Sequence, residues 1–211
     1  MRKELANIVL AVTLLSSPAA AQDDSPAPLT PETLGHLVEC KGSMSDLMSY
    51  VDMLYSDHPP AWIERVSDKG HPGMISLWTY KLAQRIEVFG HKTDTVSFMN
   101  NWIVTELPRA DVQPILASEQ MERARIKATE QYFHFVDDKE GPMLGAFAPT
   151  DDALDNLFGA PAAPVETSKT LFVGCNYSAV SEAEFLDAAK QADAIMHKSA
   201  DDILQMTKDQ K

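Results

Sequence analysis

Basic side chains are scarce in this chain: 18 Lys and Arg stand against 31 Asp and Glu, a formal net charge of −13. Without a basic face nothing can neutralise a phosphate backbone, which excludes nucleic acid as a partner. The same deficit argues against adhesion to an anionic membrane surface. Long apolar runs are missing too. The run at residues 8–15 falls far short of the roughly 20 residues a bilayer-spanning helix needs. Cysteine is limited to Cys40 and Cys175, and their spacing excludes a C-x-x-C redox motif. Motifs for acyl transfer (G-x-S-x-G), zinc proteolysis (H-E-x-x-H), phosphate binding (P-loop) and dinucleotide binding (G-x-G-x-x-G) are absent. The Asp pairs at 137–138 and 151–152 lack the alternating spacing of an EF-hand loop. What remains, 45% hydrophobic and 23% charged residues, is the composition of a globular domain and not of a disordered or coiled-coil chain.

The N-terminus is ordered as a secretory signal peptide. Arg2 and Lys3 precede an apolar stretch from Ile8 to Leu15, interrupted by Thr13, and Ala19-Ala20-Ala21 forms an A-x-A cleavage site before Gln22. A signal peptide over 1–21 is therefore expected, followed by a disordered, Pro-rich leader over 22–31 and a single domain over 32–211. No cysteine follows the cleavage site to carry a lipid, so a soluble periplasmic or secreted protein is expected, with no membrane insertion after cleavage. In such an oxidising compartment two cysteines read as one disulfide, Cys40–Cys175. It would tie the first helix to the last strand.

Hydrophobic periodicity then sets the elements. Thr30 and Pro31 form a helix start. Leu37, Cys40, Met44, Leu47, Val51 and Leu54 follow at spacings of 3 and 4, one face of a helix. Ser43 with Asp46 can cap a second start, which divides the stretch in two. Residues 56–73 read as a loop with a helical turn around Trp62 to Val66. Strands are predicted over 74–82, 85–89, 95–99 and 102–107, with a turn at 90–94 and a tight reversal at Asn100-Asn101. Asp111 is expected to cap a helical stretch whose stripe runs through Met121 and Ala128 to Phe135, with a break near 117–118. Residues 137–169 read as irregular, apart from a short helix started by Thr150. A strand over 171–173 leads into Cys175. The S-x-x-E box of Ser181 and Glu184 opens a long amphipathic helix. The sum is an α+β fold, a small antiparallel meander packed against N- and C-terminal helices with one disulfide.

Candidates for chemistry are residue types more than constellations. No two of the six histidines lie at i, i+3 or i, i+4, so no metal site and no cofactor are expected. His36, Met44 and Met48 have the soft character of Cu(I) ligands, but methionines on an amphipathic helix read first as core filler. Glu87 and Glu106 sit in strands, and Ser43, Ser45 and Ser97 lack a neighbouring base. Trp62, Trp78, Tyr80 and Trp102 cluster around the loop and meander, and His134 lies in an aromatic run. Together these five are the candidate ligand or partner surface. The expected function is a non-catalytic binding or interaction role: an inhibitor, an immunity-type factor or an assembly factor. Its protein partner is unidentified and, given the acidity, basic. The last helix, with Asp201 and Asp202, is one place for electrostatic steering. The alternatives are a small-ligand carrier with an aromatic-lined pocket and an envelope hydrolase.

Overall fold

The computed structural model describes residues 28–66, 71, 74, 76–125, 130–137, 141–149, 168–191 and 194. The expected signal peptide, most of the expected leader, the short helix expected at Thr150 and the expected end of the last helix, with Asp201 and Asp202, lie outside them. Two helices come first among the described residues, α1 (Pro31–Val38) and α2 (Met44–Leu54). Strands β1 (Ile63–Arg65), β2 (Trp78–Val88), β3 (His91–Met99) and β4 (Trp102–Pro108) lead to α3 (Arg109–Ser118). Then come β5 (Glu122–Arg123), β6 (Gln131–Phe135), β7 (Met143–Phe147) and β8 (Thr170–Asn176). A fourth helix, α4, occupies 182–191.

The eight strands form one antiparallel sheet of order β1-β2-β3-β4-β8-β7-β6-β5. Two four-stranded meanders thus lie side by side, joined where β4 pairs β8 from Trp102↔Asn176 to Pro108↔Thr170. The α+β expectation holds, with a sheet larger than the sequence suggested.

Local chemistry explains most boundaries. Thr30 and Thr33 form a reciprocal capping box at α1, with Pro31 in the first turn. Ser43 and Asp46 do the same for α2, so the early apolar stripe is two helices. α1 ends in a Schellman motif: the Lys41 amide donates to the His36 carbonyl, the Cys40 amide to that of Leu37, and Cys40 itself sits at φ 57°. Gln120, at φ 52°, closes α3 in the same way. Ser181 and Glu184 exchange the expected hydrogen bonds at the start of α4.

Several expectations are corrected. Ile63–Arg65 is a strand against β2, not a helical turn. The two strands read over 74–89 are one, β2, with a register shift between Lys81 and Ile86. Its hairpin turn is Phe89-Gly90, both at positive φ, so His91 to Asp94 belong to β3. The reversal at Asn100-Asn101 is as expected, with Asn100 at φ 52°. α3 begins at Arg109 after Pro108, with Asp111 in its first turn and not at its cap. The stripe positions Met121, Ala124, Tyr132 and Phe135 lie in no helix, and Ala128 is outside the described residues; β5 and β6 pair as antiparallel strands, and alternation of Tyr132, Phe133, His134 and Phe135 across a sheet overrides an accidental helical spacing. Within the region read as irregular, β7 is buried on both faces, so its short apolar run carries no alternation to reveal it.

The sheet buries both faces. On one, α1, α2 and α3 place Leu34, Leu37, Leu47, Tyr50, Val112 and Ile115 over Ile103, Leu171, Val173 and their neighbours. Cys40 and Cys175 join this core, bonded with their Cα atoms 5.1 Å apart. On the other face Met74 and Leu77 cover Val104, Phe147 and Phe172. There Phe185 of α4 packs on Phe133, centroids 5.1 Å apart. The first and last helices thus grip opposite faces of the sheet. Gly145 admits the Trp102 ring, which a Cβ at that position would overlap.

Three tyrosines clamp the helical layer. Tyr177 donates to the Leu37 carbonyl (2.9 Å) and Tyr50 to that of Thr30 (2.5 Å), while Tyr132 donates to Glu130 (2.9 Å). Burial raises all three above the ordinary value of 10.0, with the Glu130 charge adding to the effect at Tyr132. A group whose folded pKa is raised stabilises the fold below its unfolded value and loses that contribution as pH climbs past it. The chain is therefore expected to lose stability above about pH 10, with phenolate absorbance rising late and together with unfolding. Three phenols titrating before the circular dichroism changes would contradict this.

Candidate functional site

The candidate site is a groove between the C-terminal half of α2 and the ends of β2 and β3. Its helical wall is Val51, Leu54 and Tyr55; its floor is Trp78, Tyr80 and Phe98. Ser76 and Asn100 supply the polar lining. The cavity holds about 280 Å³ and is open on one side. Its walls are ordered by ring contacts: Tyr80 meets Phe98 edge-on (88°) at 5.6 Å, and Tyr55 leans on Trp78 at 5.6 Å. Arg65 lies over the Trp78 ring, its guanidinium carbon 3.8 Å from the centroid. The register explains the convergence, since Trp78 faces Phe98 directly across β2–β3 and Tyr80 lies two residues on, on the same face.

Beyond the groove the outer face of α2 continues the apolar surface. Tyr55 is 64% exposed, Met48 46% and Met44 36%. Positions 44, 48 and 55 recur at helical spacing, so they form one stripe. The segment 42–64 that carries this wall holds Asp46, Asp52, Asp57 and Glu64 and no Lys or Arg.

The sequence-derived surface is only partly assembled. Trp78 and Tyr80 meet in the groove. Trp62 precedes β1 and packs half-buried on the first core, its carbonyl accepting from the Ala83 amide. Trp102 is on the other face, edge-on to Phe147 at 5.3 Å. His134 sits on β6 opposite Leu144, far along the sheet order from β2. Tyr55 and Phe98 were missed. Tyr55 ends the helix at a position without a patterned partner, and Phe98 entered only as part of the strand predicted over 95–99.

Two polar clusters lie elsewhere. Glu106 accepts from Thr170 Oγ1 at 2.5 Å and meets His71 Nε2 at 3.1 Å, beside the edge-on contact of His71 with Phe172. Glu87, the other strand carboxylate, is exposed opposite Lys92. Arg109 grips Glu130 bidentately, at 2.7 and 2.6 Å, and its Nε donates to the Ser168 carbonyl. Burial pulls the Glu130 pKa upward, but the Arg109 fork and the Tyr132 hydroxyl outweigh it and hold the carboxyl below its ordinary 4.5. That pair is packed inside the fold, so its geometry suits cohesion.

Among the described residues no helix is long and apolar enough to cross a membrane, and no three His, Cys, Asp or Glu side chains group as metal ligands. Compared with known proteins, the chain matches no family model, no curated protein and no solved structure.

Proposed function

We propose that this chain is an exported, non-catalytic binding protein whose groove seats an apolar anchor of a basic protein partner. The observation that carries the reading is the groove itself: an aromatic-floored slot, continued by an exposed apolar stripe, with Asp46, Asp52, Asp57 and Glu64 on the segment beside it and Arg65 over its Trp78 floor. Exposed apolar stripes of this kind mark interaction surfaces, and aromatic anchors in small pockets carry most interface energy. The exposed Asp52 and Asp57, near the groove, and the net charge of −13 favour a basic partner and speed its encounter. Export rests on the signal-like N-terminus and on the disulfide, a bond of compartments outside the cytosol. An inhibitor, an immunity-type factor or an assembly factor would all use such a surface.

A small-ligand carrier is the second reading, and the aromatic lining of the groove favours it as well. A volume of about 280 Å³ lies at the lower edge of the roughly 300–1,000 Å³ of drug-sized ligand pockets. It has room for one or two inserted side chains or for a small ligand, which the test below separates.

The test compares proteins captured from extracts of the producing cells by the wild-type chain, by Trp78→Ala and by Asp52→Lys/Asp57→Lys. The expected result is a basic protein retained by wild type, weakened at least about tenfold by Trp78→Ala, and lost as salt rises. The charge-reversal variant should chiefly slow its association. Identical capture by all three chains would sink the proposal. A stoichiometric small molecule in the native mass spectrum of wild type, lost in Trp78→Ala, would replace it with the carrier.

A further inference from the structure

The chain has two cysteines, and both are committed to the Cys40–Cys175 bond. Its remaining oxidisable sulfur is thioether sulfur, and that is unevenly displayed. Met44 and Met48 are exposed, one helical turn apart on the outer stripe of α2. Met121 is 9% exposed, Met74 8% and Met143 1%, while Met53 and Met99 are half-buried against the cores. Exposure governs methionine oxidation, so among the described methionines a diffusible peroxide meets the α2 pair first.

We propose that Met44 and Met48 are a peroxide-sensitive modification site that controls the docking stripe of α2. The thioether sulfur attacks one peroxide oxygen, the O–O bond breaks, an S=O bond forms, and the second oxygen leaves as water. Sulfur is oxidised by two electrons and the peroxide is reduced by two. The product is a polar, chiral sulfoxide in place of a flexible apolar side chain. Met48 stands three residues before Val51 and seven before Tyr55, so the new dipoles appear at the lip of the groove. Because both side chains face outward, the fold keeps its core while the surface loses its apolar continuity. Methionine sulfoxide reduction reverses the step.

The switch rests on the docking reading above, and the test separates the two. The folded chain is treated with graded hydrogen peroxide, and each methionine is followed by peptide mass spectrometry. Met44 and Met48 are expected to oxidise about tenfold faster than Met121 and Met143, with unchanged far-ultraviolet circular dichroism. Equal rates at buried and exposed positions would overturn the site.

Binding is then read with a synthetic amphipathic helix of Leu and Lys, a basic apolar probe. Oxidation is expected to weaken it about tenfold in wild type. In Met44→Leu/Met48→Leu, which keeps the apolar volume, oxidation should leave binding unchanged. If Trp78→Ala loses the probe but oxidation of wild type does not, docking stands and the switch falls. If neither change affects the probe, the docking reading and the switch fail together.

Discussion

Replacing Arg109 by Ala is expected to destabilise the chain by about 3–5 kcal/mol, because it strands a buried carboxylate. Glu130 is only 2% exposed, and its two oxygens are held by the Arg109 fork and the Tyr132 hydroxyl. Remove the guanidinium and the carboxylate must stay charged on the Tyr132 hydroxyl and the Arg123 charge alone, or take up a proton. Against a typical total of about 5–15 kcal/mol, that loss is a large fraction. Urea unfolding should show the midpoint falling with an unchanged slope. Arg109→Met/Glu130→Gln removes both charges and should cost less than Arg109→Ala alone. The wild-type pair also sets an acid limit. A carboxyl whose folded pKa is depressed stabilises the fold above its unfolded value, and that contribution disappears as pH falls below about 4.5 and through the folded value. An Arg109→Ala variant within about 1 kcal/mol of wild type would show the pair to be dispensable.

The second large effect is the disulfide. It closes a loop of 135 residues, and constraining so long a loop in the unfolded chain stabilises the fold by about 5 kcal/mol on the chain-entropy model. Cys40→Ala/Cys175→Ala should therefore lower Tm by roughly 10–15 °C. The backbone adds a finer expectation. Cys40 occupies the left-handed position of a Schellman motif at φ 57°, where a side chain costs about 1 kcal/mol and glycine does not. Cys40→Gly/Cys175→Ala should thus be about 1 kcal/mol more stable than the double alanine variant. Equal stabilities would mean that α1 ends differently once the bond is gone, and an unchanged Tm in both would contradict the entropic role of the loop.

The parts of this structure legible in its sequence are those fixed by short-range chemistry. Thr30-Pro31, Ser43/Asp46 and Ser181/Glu184 satisfy orphan amides within one turn, so their helix starts could be read directly. The disulfide followed from the cysteine count and the expected compartment. What failed needed tertiary information. Tyr132 and Phe135 matched a helical stripe by spacing alone, yet β7 was waiting to pair with them. β7 was hidden because burial on both faces erases alternation. The groove was half legible. Trp78 and Tyr80 share a face of one strand, whereas their meeting with Val51 and Tyr55 depends on how α2 lies over the sheet. Trp102 was grouped with them by sequence proximity, but two residues of turn and a change of face send its ring toward Gly145.

The central claim is that the α2 groove docks a basic protein. A photo-crosslinking amino acid at position 55 tests it most directly, with position 92 as control. Lys92 lies on β3 six residues from Phe98, the cross-strand partner of Trp78, and so about 20 Å away. Irradiated in the cells that produce the chain, position 55 is expected to yield an adduct with one basic protein, abolished by Trp78→Ala and absent from position 92. No adduct at position 55, or the same adducts from both positions, would contradict the account.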